Sequence, residues 1–197
     1  LRWAALLHDI GKAPTKKFVD GIGWTFHGHE FLGSKMVKNL FYRLKLPLGS
    51  DMKYVQKLVK LSSRPIALVD DGTSDSALRR LLFDAGDDLE DLFILNKADI
   101  TTKNSSKQAK FKKNFEDVAV KIKEVEEKDQ IRNFQPPISG EEIMALFGLN
   151  PGREIGILKE KVKEAILEGE IGNDKEQARE FVIKEGKLLG LEIADSV

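Results

Sequence analysis

The sequence predicts an all-α fold. Three observations carry that expectation. Apolar residues recur at spacings of three and four through most of the chain. No stretch of any length alternates apolar and polar residues as a half-buried strand does. Capping residues and Pro or Gly breakers fall between the periodic stretches rather than inside them.

Leu1, Ala4, Ala5 and His8 share one face of a first helix, and a Pro- and Gly-containing stretch follows from Gly11 to Gly28. The next helix runs from about His29 to Leu44, with Leu32, Met36, Val37, Leu40, Phe41 and Leu44 on its apolar side. Asp51 is placed to cap a shorter helix carrying Met52, Val55 and Val59. Ser74 or Asp75 caps another, with Leu78, Leu81, Leu82 and Ala85 inward, and Leu89, Leu92, Phe93 and Leu95 continue the pattern to Asp99. Phe111, Phe115, Val118, Ile122 and Val125 form one seam of a long helix, roughly 20 residues or more. The paired prolines of Asn133 to Ser139 break it and make the best boundary. Ser139 with Glu142 matches a capping box. Asn150-Pro151 then opens a longer helix with Pro at its first position, and a last helix spans about Lys175 to Gly186.

The composition is that of an ordinary globular chain: 197 residues, 41% hydrophobic and 32% charged, enough to bury a core without disulfide or metal staples. Lys plus Arg equals Asp plus Glu at 32 each, so any nucleic-acid footprint is local rather than global. The absence of cysteine excludes disulfides and thiolate metal sites and fits a reducing, cytoplasmic setting. No apolar run approaches the roughly 18 residues of a membrane span. The chain opens at Leu1, without Met and inside a helical pattern, and is expected to be a fragment of a longer protein.

All three histidines, His8, His27 and His29, fall within the first 29 residues, tighter than random scatter. His8 lies on an apolar helical face, where a histidine also serves as a plain core residue. The adjacent Asp9 changes the weighting, because a carboxylate near a core costs several kcal/mol unless paired or metal-bound. Asp99 follows Leu95 by four and Leu92 by seven, so helical geometry turns it inward. It reads either as a helix-end carboxylate capping the turn at Thr101 and Thr102, or as a ligand. Imidazole and carboxylate ligands without sulfur suit Mg²⁺, Mn²⁺, Fe²⁺ or Ni²⁺, with Zn²⁺ not excluded.

Two regions read as anion contacts. Lys97 to Lys113 holds six lysines and one acid, Asp99. Lys103, Lys107, Lys110, Lys112 and Lys113 line a phosphate-binding face, or form a solvated basic stretch. In Gly148 to Gly156, glycines at a helix start leave free N–H groups that suit an anion, and Arg153 sits in a first turn whose dipole disfavours it. A tight interhelical turn explains the same glycines.

Several of these residues resemble a known family. His8-Asp9 in Leu-Leu-His-Asp-Ile-Gly-Lys, His29-Glu30 in Gly-His-Glu and Asp99 in Lys-Ala-Asp resemble the HD metal-dependent phosphohydrolases. Arg2 to Asp9, Arg64-Pro65, Ser74-Asp75, Arg79-Arg80-Leu81, Ile138 to Met144 and Gly148 to Gly152 together resemble the HD-containing tRNA nucleotidyltransferases and bacterial poly(A) polymerases. The resemblance implies an N-terminally truncated HD-type helical domain over 1–105, a connecting helix over 106–133 and a helical RNA-binding tail over 134–197. It implies divalent-metal ligands at His8, Asp9 and Asp99, with His27 or His29 nearby. His29 is then a general acid or base, and Lys12 and Arg64 neutralise phosphate. Lys107, Lys110, Lys113, Gly152 and Arg153 are the implied contacts for tRNA or another RNA 3′ end. Two departures stand out. The upstream histidine of the HD pattern and the nucleotide-transfer head lie outside this chain, and Leu61-Ser62-Ser63 precedes Arg64-Pro65 where related sequences often carry a histidine. The chain is therefore expected to be the body and tail of such an enzyme. The alternative is a metal-dependent phosphohydrolase acting on nucleotide phosphoesters.

Overall fold

The computed structural model describes residues 1–70, 74–100 and 105–194; the side chains of Val69, Asp70, Ser105, Lys107 and Phe111 are outside that description. The expected contact at Lys103 and the Thr101–Thr102 turn lie outside the described residues. The helices are α1 (Arg2–Leu7), α2 (Lys12–Thr15), α3 (His29–Arg43), α4 (Ser50–Leu61), α5 (Arg64–Asp70), α6 (Asp75–Ala85), α7 (Leu89–Asp99), α8 (Ser105–Asp129), α9 (Gly140–Phe147), α10 (Arg153–Glu168) and α11 (Lys175–Leu188). A 3-10 turn, Gly86–Asp88, joins α6 to α7. The fold is all-α, as the periodicity predicts.

The chain forms two compact units, residues 1–73 with 84–120 and residues 74–83 with 121–197. In the first, α3 packs on α4 and α1 on α4, and the core holds Val37, Leu58 and Val59 with Leu92 of α7 and Phe115 of α8. Each such aliphatic side chain contributes about 1.5–3 kcal/mol of burial. In the second, Leu82, Ile131, Ile143, Leu158 and Val162 form the core, and α10 packs on both α9 and α11. The Pro-Pro stretch joins α8 to α9 inside this unit.

Four local expectations are corrected. A short antiparallel hairpin, β1 (Lys17–Val19) and β2 (Gly23–Thr25), stands where no strand is expected, with Phe18 paired to Trp24. Strands of three residues are too short to show alternation. Gly21 and Gly23, at φ 78° and 97°, make the reversal between them. The N-cap of α4 is Gly49, and Asp51 sits inside the first turn, where the dipole still favours a carboxylate. Helix α10 begins at Arg153, not Pro151, because Gly152 is fully extended at φ −162°, ψ −179°. In α1 the buried pair is Ala4 and Leu7, while Leu1 and Ala5 face solvent. The Ser139–Glu142 capping box is present, with Glu142 N–H donating to Ser139 Oγ at 3.1 Å and Ser139 N–H to Glu142 Oε2 at 2.8 Å.

Candidate metal centre

Three helix ends meet in the first unit. His8 caps the C-terminus of α1, His29 opens α3 and Asp99 closes α7. Gly11 makes this approach possible. A Cβ there would stand 2.0 Å from the His29 carbonyl oxygen and 2.8 Å from the Gly33 nitrogen, so only glycine lets the start of α2 abut α3.

The backbone orients both imidazoles. His8 Nδ1–H donates to the Ala5 carbonyl at 2.8 Å, and His29 Nδ1–H donates to the Phe26 carbonyl at 2.9 Å. A carbonyl only accepts, so each Nδ1 carries the proton and each Nε2 presents a lone pair in the neutral ring. Those lone pairs face carboxylate oxygens. His8 Nε2 lies 3.2 Å from Asp99 Oδ1, across 91 positions of sequence, and 3.6 Å from Asp9 Oδ1. His29 Nε2 lies 3.7 Å from the same Asp9 oxygen. Two acceptors face to face repel unless a proton or a cation lies between them.

The donor set matches an oxygen- and nitrogen-seeking divalent ion. Ligands about 2.1 Å from an octahedral or tetrahedral ion stand roughly 3.0–3.4 Å apart. The His8–Asp99 distance falls in that window, and the two Asp9 distances lie just beyond it. Among the described residues, no three such side chains form a preassembled metal-holding group. The other Asp9 oxygen takes the Lys12 ammonium at 2.7 Å. The imidazoles are 19% and 16% exposed and the carboxylates 42% and 40%, so the cluster opens to solvent on its acidic side.

Arg64 pairs with Asp84 through a guanidinium NH. Its neighbour Ser63 donates to Glu30, whose other oxygen is 3.3 Å from His29 Nδ1. Serine thus occupies the position before Arg-Pro and supports the His29 side of the cluster. His27 is exposed. Lys110 and Lys113 are exposed on α8 in the first unit, and the Lys107 side chain lies outside the described residues. Gly152 and Arg153 are exposed at the start of α10 in the second unit.

The motif arginines of α6 are engaged within the second unit. Arg79 Nε donates to Asp129 at 2.7 Å, and Arg80 NH2 donates to Glu164 at 2.6 Å and to Glu168 at 2.5 Å. The Arg80 bond holds the Glu168 carboxyl below its usual range. Sequence reasoning missed Asn96, buried on α7 one turn before Asp99, whose Nδ2 donates to the Leu92 carbonyl at 2.8 Å. The signal available was a polar residue between Leu95 and Lys97 on an otherwise apolar face.

Comparison with known proteins sharpens the reading. A family model described as the HD domain matches residues 1–104. The chain is 34% identical over 183 residues to the A-adding tRNA nucleotidyltransferase of Deinococcus radiodurans, covering 92% of this chain and 41% of that protein. It is 33% identical over 184 residues to the CC-adding tRNA nucleotidyltransferase of Thermus thermophilus, covering 92% of this chain and 39% of that one. The chain thus spans about two fifths of the curated relatives it matches. No solved structure matches it. No helix among the described residues is long and apolar enough to cross a membrane.

Proposed function

The chain belongs to the HD-domain family, and we propose that it forms the metal-binding body and RNA-holding tail of a cytoplasmic tRNA nucleotidyltransferase or poly(A) polymerase. The transfer of nucleotides belongs to a head outside this chain. The parts are a body over 1–105, a connecting helix over 106–133 and a tail over 134–197. The likeness to two tRNA nucleotidyltransferases along 92% of the chain supports the assignment. The observation that carries it is the meeting of His8 with Asp99, the two ends of the HD pattern, at 3.2 Å.

His8, Asp9 and Asp99 would hold a divalent ion (Mg²⁺, Mn²⁺, Ni²⁺ or Fe²⁺), with His29 beside it. When bound, the ion lowers the pKa of a coordinated water and polarises a phosphoryl oxygen. The Ala5 and Phe26 carbonyls keep both Nε2 atoms turned into the cluster. His29 is the general acid or base, its ring fixed on one edge by Phe26 and Glu30 and facing Asp9 on the other. Lys12 offsets the Asp9 charge and stands ready for a phosphate oxygen, and Arg64 adds a second cation once released from Asp84. Lys107, Lys110 and Lys113 on α8, with Gly152 and Arg153 at the start of α10, contact the RNA backbone.

Hydrolysis of a nucleotide phosphoester at the same cluster is the second reading, favoured by the paired Nε2 and carboxylate groups. Titration of the 197-residue chain with Mn²⁺ or Ni²⁺ tests the centre. Stoichiometric binding lost in both His8→Ala and Asp99→Asn is expected, and equal binding in all three proteins overturns it. Adding a cyclic phosphodiester to the same proteins reads hydrolysis separately. For the RNA role, charge reversal at Lys110 and Lys113 is expected to weaken tRNA affinity and to flatten its salt dependence. No change in either would leave these lysines as solvated surface.

A further inference from the structure

The β1–β2 hairpin has no part in the function above, yet it exposes a pair of aromatic rings. Phe18 and Trp24 are 55% and 59% exposed, and Ile22 at the tip is 75% exposed. Phe18 and Trp24 are register partners, so both rings rise from one face of the ribbon, 5.2 Å apart and edge to face at 73°. Burying this pair against the body would gain apolar energy, and the fold leaves it outside.

A cation stands over one of these rings. Lys16 Nζ stands 4.2 Å over the Trp24 ring, and Lys17 is exposed at the start of β1. Phe31, exposed on the first turn of α3, carries Lys35 Nζ at 4.0 Å. The exposed acid of the hairpin itself is Asp20, in the turn. The exposed indole, edged by Phe18, offers a base a stacking surface once the flexible Lys16 side chain yields its ring face. Lysines at the ring faces meet the phosphates on either side. A protein partner would need a shaped apolar pocket rather than a two-ring blade with a cation over it.

The location adds a reason. The hairpin leaves the chain at Lys17, shortly after Lys12, and returns at Thr25, shortly before His29. His29 is five positions after Trp24, which bounds the distance between their Cα atoms at about 18 Å. We propose that the β1–β2 hairpin is a stacking platform for an unpaired nucleotide of single-stranded RNA, held beside the His8–Asp9–His29–Asp99 cluster. The proposal rests on the RNA reading above and adds to it a site that distinguishes unpaired from paired RNA.

The test compares a short labelled oligo(A) with a blunt RNA duplex by fluorescence anisotropy on the 197-residue chain. Phe18→Leu with Trp24→Leu keeps the apolar bulk and removes both π faces, and circular-dichroism melting verifies the fold. About a tenfold or greater loss for oligo(A) is expected, with duplex affinity unchanged and Trp24→Phe retaining most of the binding. Wild-type chain that binds RNA while the double variant binds oligo(A) equally well overturns the platform alone. Wild-type chain that binds neither RNA overturns the RNA reading and the platform with it. A double variant that loses anionic phospholipid vesicles but keeps oligo(A) assigns the blade to a lipid surface and rejects the proposal.

Discussion

The C-terminal unit ties the starts of α9 and α11 with side chains, leaving only α10 to a glycine, whereas the site region of the N-terminal unit leaves its helix ends to glycines and backbone carbonyls. Ser139 and Glu142 close a reciprocal box on α9, and Asp174 Oδ1 accepts from Glu176 and Gln177 N–H at 3.0 Å each on α11. Around the candidate centre, α1, α2 and α3 have no side-chain cap. The N-cap of α3 is Gly28 at φ 74°, and α2 is a four-residue turn. His8 gives Nδ1–H to the Ala5 carbonyl of its own helix, but its Nε2 and Asp9 Oδ1 point at one another, and that Nε2 also faces Asp99. Each cap given up costs about 1 kcal/mol. Residues that break local rules together, around one point, mark a site rather than a poor helix.

The comparison breaks most sharply at two glycines, one in each unit. Gly11→Ala forces a Cβ against the His29 carbonyl and the Gly33 nitrogen, both backbone atoms that cannot rotate away. The expected loss is about 3 kcal/mol or more, at the upper end for overpacking, measured by urea unfolding. Loss of Mn²⁺ or Ni²⁺ binding is expected with it, because α3 must move and carry His29 along. Gly186→Ala in α11 meets the ring of Phe147 at 2.3 Å. A side chain yields more than backbone, so about 1–3 kcal/mol is expected, recovered in part by adding Phe147→Leu. Metal binding should survive this second change. If Gly11→Ala is tolerated as well as Gly186→Ala, the site does not depend on that close approach.

Legibility followed the same division. The periodic helices can be read because each buries its apolar positions: α3, α7 and the long α8 lie where the spacing puts them. The Ser139–Glu142 box was readable because capping is a contact over three residues. Asp99 draws notice because a carboxylate interrupts the Leu92–Leu95 spacing, but its side chain is 40% exposed rather than turned inward, since it stands at the last residue of α7. The hairpin was not, since three-residue strands have no period, and the exposure of Trp24 depends on tertiary placement. The start of α10 was misplaced because Pro151 suits a first helical position locally, while Gly152 takes up an extended conformation after it. Gly11 was visible in the motif, but its reason, a neighbour 18 residues on, exists only in the folded chain.

The smallest expected effect concerns the charge within the C-terminal caps. Lys175 pairs with Glu142, and this pairing, then the Ser139 bonds, holds the Glu142 carboxyl near about 2, below its ordinary 4.5. A carboxylate depressed in the folded state contributes stability that is complete above the unfolded value and fades as pH falls toward the folded one. The Glu142 contribution is thus present above about pH 4.5 and disappears toward pH 2. Glu142→Gln keeps an acceptor for the Ser139 N–H, so the box survives, but it cannot attract Lys175. The melting temperature of wild type should exceed that of Glu142→Gln at neutral pH and converge with it between pH 4.5 and 2. Because this pair is solvent-exposed, high salt should shrink the gap at neutral pH. A gap constant across that range would mean that the box, and not the Lys175 pair, carries the whole contribution of Glu142.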